Sequence, residues 1–244
     1  MASGKVGLFI ELYYYGRIET LMRRIRQLPW ATYTILLIQV IVFGWEILQG
    51  GSENISALVA AGAKVNGLVA QGQWWRLITP IFVHIGWQHI LINSLTLYFM
   101  GQQLEFLYGP LKFIGLYLLS GIGGNLMSFA FGSSASLSAG ASTSLFGLFG
   151  LYVTLGLIFR KNEVIRQWAQ QFLLLIILNL GTDIFMGGID IWGHIGGALT
   201  GCLLGFVISV PQMQNSLSRL GRIISIVILL VLAVVLYQIG VARA

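Results

Sequence analysis

Five polar residues stand in apolar surroundings in this chain: Ser142, Ser144, His89, Asn93 and His194. Serine alone is a poor nucleophile. It needs a base within hydrogen-bond reach, and histidine is the usual one. It also needs donors aimed at the oxyanion that forms on a substrate carbonyl, each worth about 3 kcal/mol when lost. His89 and Asn93 lie four residues apart, so a helix puts them on one face. Ser142 and Ser144 open an apolar run, where a helix start leaves backbone N–H groups free beside the positive end of the dipole. His194 lies near the start of another run. If the elements bring these groups to one depth, a serine, two histidines and an asparagine together suit acyl transfer.

The elements that must position them are membrane helices. Of 244 residues, 57% are hydrophobic and only 9% charged, against about a quarter charged in soluble domains. The mean hydropathy is +0.84. This excludes a soluble enzyme, a disordered tail and a nucleic-acid-binding domain. Seven apolar runs are long enough to span a bilayer: roughly 30–49, 88–108, 111–131, 142–160, 168–186, 192–210 and 223–241. The first follows a long polar segment, so it reads as a retained span. With the N-terminus in the cytoplasm, Lys5, Arg17, Arg23, Arg24, Arg26, Lys112, Arg160, Lys161, Arg166, Arg219 and Arg222 fall inside; only Lys64, Arg76 and Arg243 fall outside. That asymmetry accounts for the net charge of +6 by topology and needs no nucleic acid. It also puts the starts of the second, fourth and sixth spans in the outer half of the membrane.

Packing cues agree. Gly193, Gly197, Gly201 and Gly205 recur every four residues, a small-residue face that admits another helix closely. The fourth span answers with Gly147 and Gly150, which would bring His194 toward Ser142 within one chain. The segment from Gly50 to Trp87 is rich in aromatics and reads as a loop in the membrane interface. The stretch 132–140 is small, uncharged and reads as flexible, and Gly187-Gly188 reads as a mobile outer loop. Single residues have plainer readings. Ser144 points elsewhere, to a cap or an interface. His84 braces the first outer loop, and Trp75-Arg76 anchors it. Asp190 and Asp183 read as solvated loop residues. Cys202 has no partner for an internal disulfide, and the histidines lack the companions of a metal site.

These residues, taken in order, resemble the rhomboid intramembrane serine proteases. The family's Gly-x-Ser-Gly motif is matched by Gly140-Ala141-Ser142-Thr143. Its sixth-span histidine is matched by His194 in Gly193-His194-Ile195-Gly196-Gly197, and its His-x-x-x-Asn by His89-Ile-Leu-Ile-Asn93. The preceding family histidine corresponds to His84 and the loop's Trp-Arg pair to Trp75-Arg76. The resemblance covers residues 30–210 as a six-helix core, with a cytoplasmic segment over 1–29. A linker and an additional C-terminal span occupy 211–244. The fold it implies is an all-α polytopic membrane helix bundle.

The implied activity is cleavage of peptide bonds in or near transmembrane segments of other membrane proteins, without metal or cofactor. A Ser–His dyad acts through an acyl-enzyme, with Ser142 the nucleophile and His194 the base and then acid. His89, Asn93 and the Ser142 N–H form the oxyanion hole. The fifth span and the loop around Met186-Gly187-Gly188 serve as gate and lid. The implied place is the cell membrane, with the site opening and the C-terminus extracytoplasmic. Two positions depart from the pattern. Thr143 replaces the usual Gly and is β-branched, hence bulkier and stiffer. Phe146 stands where many relatives have Tyr. The rival readings are an inactive relative that binds transmembrane helices, and a transporter or channel. The latter would show a repeat or a charged midplane path, and the sequence has neither.

Overall fold

The computed structural model describes residues 28–133, 137–185, 188–211, 213 and 218–244. Most of the expected cytoplasmic segment 1–29 therefore lies outside the described residues, as do Met186 and Gly187 of the expected lid. Each of the seven apolar runs forms a helix close to the range expected. These are α1 (Trp30–Leu48), α4 (Gly86–Tyr108), α5 (Pro110–Phe131), α6 (Ser142–Ile158), α7 (Glu163–Phe185), α8 (Ile191–Val207) and α9 (Arg219–Arg243). Between α1 and α4 lie two short helices, α2 (Ile55–Ala61) and α3 (Asn66–Ala70), and the strand β1 (Lys64–Val65). A second strand, β2 (Leu137–Ser138), precedes α6 and pairs antiparallel with β1, Lys64 opposite Ser138. The chain is an all-α polytopic membrane bundle.

Burial is distributed as a bilayer demands. Leu37, Ile41, Leu91, Phe99, Leu178 and Leu230 are exposed, while Asn93, Ser120, Asn125, Ser144 and Thr154 are buried. Among the described residues, α1, α5, α7 and α9 are long and apolar enough to cross a membrane. Helices α6 and α8 are shorter, 17 residues each. At 1.5 Å per residue that is about 26 Å, against about 30 Å of hydrocarbon. A helix this short is less than the full hydrocarbon thickness in length.

The α6–α8 contact is the closest in the bundle, and glycine is the reason. A Cβ on Gly201 would run into the Gly147 carbonyl and Cα, one on Gly197 into the Thr143 carbonyl, and one on Gly150 into the Ala198 carbonyl. The opposite face of α8 meets α5, where Gly196 lies against Gly123 and Gly124. The small-residue stripe is therefore consumed within one chain. Thr143 fits for the same reason: its side chain lies where Gly124 and Gly193 have none, with a Cβ on either standing 2.8–2.9 Å from it. Ser144 is buried against Gly121 of α5.

The outermost helices are held differently. Helix α9 docks on α5 through Phe129, which lies against Gly240, and through Arg243 Nη1, which donates to the Ala130 carbonyl at 3.0 Å. Helix α7 is held mainly near its first half. Phe172 stacks on Tyr152 at 4.3 Å, and Trp168 meets Tyr152 edge-on at 5.9 Å.

One loop expectation changes. The first long connection, expected as a loop, contains α2, α3 and β1 and satisfies polar groups internally. Arg76 is buried and its guanidinium donates to the carbonyls of Val59 (2.8 Å) and Ala63 (2.7 Å), the anchoring role expected of it. Within 132–140, residues 137–138 are not flexible, because β1 holds them; residues 134–136 lie outside the described set.

Gly201→Val should lower the thermal unfolding midpoint in detergent, because overpacking of this kind costs about 1–3 kcal/mol. Gly44→Ala, with nothing within 4 Å of the added Cβ, should leave it unchanged. Equal midpoints for the two would show that α6 and α8 do not depend on backbone contact.

Candidate active site

Ser142 is the first residue of α6, and its placement is fixed from three sides. Gly140 has φ +129°, a left-handed conformation that favours glycine, and its N–H donates to the Pro80 carbonyl at 2.9 Å. A Cβ there would stand 2.5 Å from His89 Cε1 and 2.6 Å from His89 Nε2, so the missing side chain is what lets α4 approach. The next residue, Ala141, donates its N–H to His84 Nε2 at 3.4 Å. His84 Nδ1 in turn lies 3.3 Å from the Phe82 carbonyl. That pattern requires a neutral ring with the proton on Nδ1. His84 therefore braces the first loop, as expected, and ties it to the start of the serine helix.

Ser142, His194, His89 and Asn93 all line one cavity of about 420 Å³ at this end of the bundle. Four of the five residues singled out in the sequence thus come from three helices to one place, and Ser144 does not line the cavity. Asn93 is buried, and among the described residues its Nδ2 has no hydrogen-bond partner. It is an open donor at the cavity wall. No hydrogen bond joins His89 to Asn93 among the described residues, and the His89 ring meets His84 edge-on, with centroids 5.4 Å apart. The first-turn N–H groups of α6 add further donors, since a helix start has no internal acceptors for them. Phe146, one turn after Ser142, lies flat on the His194 ring, with centroids 4.0 Å apart and planes 8° from parallel. The ring contact expected of Phe146 is present without a hydroxyl. Among the described residues no hydrogen bond joins Ser142 to His194. Catalytic hydrogen bonds are often loose in a resting site and tighten around substrate.

Two acids depart from the sequence reading. Asp183 is not a solvated loop residue. It lies in the last turn of α7, 9% exposed, and its Oδ2 is 2.6 Å from His194 Nδ1. The expected span 168–186 already contained Asp183, but only the packing of α7 on α8 turns its side chain inward to His194. Asp190 is not free either. It caps α8, accepting from the Gly193 N–H at 2.9 Å, and also accepts from the hydroxyls of Ser128 and Ser138, each at 2.5 Å. It thereby joins α5, β2 and the start of the histidine helix. The Asp-x-x-Gly spacing just before an apolar run was the signal for that cap. Asn179 also lines the cavity. No cluster able to hold a metal ion occurs among the described residues.

Burial, with the neighbouring His89 adding to it, lowers the His84 pKa from 6.5 to about 3. A histidine buried in its neutral form contributes stability above its unfolded value, and that contribution is lost as pH falls toward the folded value. Thermal stability should therefore decline from about pH 6.5 to pH 4, and His84→Gln should flatten the decline. A slope unchanged in that variant would assign it to other groups.

A family model described as the Rhomboid domain matches residues 71–211. The Rhomboid protease GluP of Bacillus subtilis (strain 168) is 39% identical over 208 residues, which is 84% of this chain and 39% of that protein. The Putative rhomboid protease YdcA of the same strain is 30% identical over 191 residues, 78% of this chain and 94% of that protein. The Rhomboid-like protease 1 of Toxoplasma gondii is 33% identical over 205 residues, 82% of this chain and 67% of that protein. The chain thus spans well under half the length of GluP but nearly all of YdcA.

Proposed function

This chain belongs to the rhomboid family, and from that premise we propose that it is an intramembrane serine endopeptidase acting on transmembrane segments of other membrane proteins. The observation that carries the reading is the convergence of Ser142, His194, His89 and Asn93 on one cavity at the end of two short helices.

Ser142 Oγ attacks the scissile carbonyl and passes its proton to His194 Nε2. The tetrahedral oxyanion is met by the Asn93 amide, by His89 and by the Ser142 N–H. His194 then protonates the leaving amine, and an acyl-enzyme on Ser142 remains. Water entering the cavity is deprotonated by His194 and releases the second product. Lysine and arginine placement supports the reading that this end of the bundle, with the C-terminus, faces the extracytoplasmic side of the cell membrane, with the N-terminus inside. Water reaches the site from that side.

A substrate helix enters laterally past α7, the least embedded wall of the cavity. The segment to be cut must unwind, because an intact helix keeps its carbonyls in its own hydrogen bonds. No metal or cofactor is called on. Thr143 is compatible with the mechanism, since its side chain lies between α5 and α8 rather than in the cavity.

Cleavage of a single-span substrate in liposomes should fall at least ~10³-fold in Ser142→Ala and in His194→Ala. Asn93→Ala should lose about 10²-fold through the missing donor. A fluorophosphonate should label the native chain and not Ser142→Ala. Cleavage surviving in Ser142→Ala would mean another nucleophile, with Ser144 next. A folded native chain that neither cleaves nor labels would instead be a non-cutting binder of membrane helices.

A further inference from the structure

The resemblance implies a dyad, yet His194 has a third partner. Its Nδ1 lies 2.6 Å from Asp183 Oδ2. Both side chains are nearly closed to solvent, 9% and 5% exposed. Phe146 covers one face of the imidazole. A ring stacked on one face and tied at Nδ1 keeps only Nε2 for chemistry, and the ring lines the same cavity as Ser142. A carboxylate facing Nδ1 favours the tautomer that carries the proton there, which leaves Nε2 bare to take a proton from serine. The other acid near the histidine, Asp190, is occupied by the Gly193 N–H and two serine hydroxyls.

We propose that Asp183 is a positioning residue that fixes the tautomer and orientation of His194 and stabilises its imidazolium during acyl transfer. This rests on the proposed function of the same site. The proton that leaves Ser142 Oγ resides on Nε2, the Nδ1 proton stays shared with Asp183, and the carboxylate is not itself protonated.

A purely mechanical role is the competing account. The second half of α7 exposes Leu174, Ile177, Leu178, Ile184 and Phe185; Ile176 and Leu180 pack on the core, and Asp183 ties its last turn to α8. A pin and an orienting carboxylate differ in what they do to turnover. Asn is close in shape and still bonds the ring, but it can donate to Nδ1 and thereby stabilise the wrong tautomer.

The test uses the full chain in liposomes with a single-span substrate. Asp183→Asn should lower kcat by ~10²–10⁴-fold with KM within about twofold of native. Fluorophosphonate labelling of Ser142 should slow in parallel. Asp183→Glu should recover at least about tenfold of the lost kcat by restoring a carboxylate. Nitrogen NMR of the labelled histidines in the native chain should find the His194 proton on Nδ1.

Native kcat in Asp183→Asn, or a rise in KM or a lower unfolding midpoint with kcat unchanged, would reduce Asp183 to a pin. A native His194 with its proton on Nε2 would overturn the inference even if the variants fail to fold. A native chain that neither cleaves nor labels would remove the proposed protease itself. Cleavage that depends on Ser142 and His194 but not on Asp183 would remove only this inference.

Discussion

The backbone-to-backbone contact of α6 with α8 is the constraint on which the rest of the structure depends. In lipid there is no hydrophobic drive to join two apolar helices, so association relies on close packing. Glycine at 197 and 201 lets α8 rest on the backbone of Thr143 and Gly147. The register follows from that contact. Gly197 sits on Thr143, so the residue before Thr143 and the residue one turn before Gly197 are brought to the same end of the same interface. Those residues are Ser142 and His194. Any side chain in the seam would part the helix ends that carry Ser142 and His194, so the proposed chemistry rests on the packing.

Around this seam the protein solves a solvent problem. The proposed hydrolysis needs water, and the middle of a bilayer has none. The cavity at the start of the two helices of about 26 Å is lined in part by Leu137 and Ser138 of β2, which β1 of the first loop holds in place. That loop is itself braced. Arg76 satisfies carbonyls that would otherwise be stranded, and buried Lys64 donates to Asn66 Oδ1 at 2.8 Å. Asp190 binds two serines and an N-terminal amide at once. His84 carries the order of the loop into the start of α6 through the Ala141 N–H. The wall formed by α7 is held instead by aromatic contacts in its first half, by Ile176 and Leu180 on the core, and by one acid in its last turn. Its two ends are therefore anchored by different chemistry.

Much of this was legible in the chain. Spans of apolar residues register directly in composition, because a bilayer tolerates little else, and seven runs became seven helices. The glycine stripe was readable because its period of four is that of a helix face. Ser142, His89, Asn93 and His194 stood out because polar groups are costly in such runs, and their spacing matched a known pattern. Asp183 and Asp190 were misread, each for a definite reason. Their meaning depends on which way a helix end turns and on what folds over it, and neither leaves a periodic trace. The 132–140 stretch looked flexible because strand pairing two residues long has no sequence signature of its own.

The sequence by itself determined that this is a membrane helix bundle and which polar residues stand out in its apolar spans, since solvent transfer costs and helical periodicity act on each segment separately. Only the tertiary structure decided that Asn93 keeps an unpaired donor at the cavity wall, that Thr143 fits a wedge between glycines, and that His194 is held by Asp183. Those outcomes depend on distances between segments far apart in the chain. Such distances are set by how closely helix backbones can approach, which no single segment encodes.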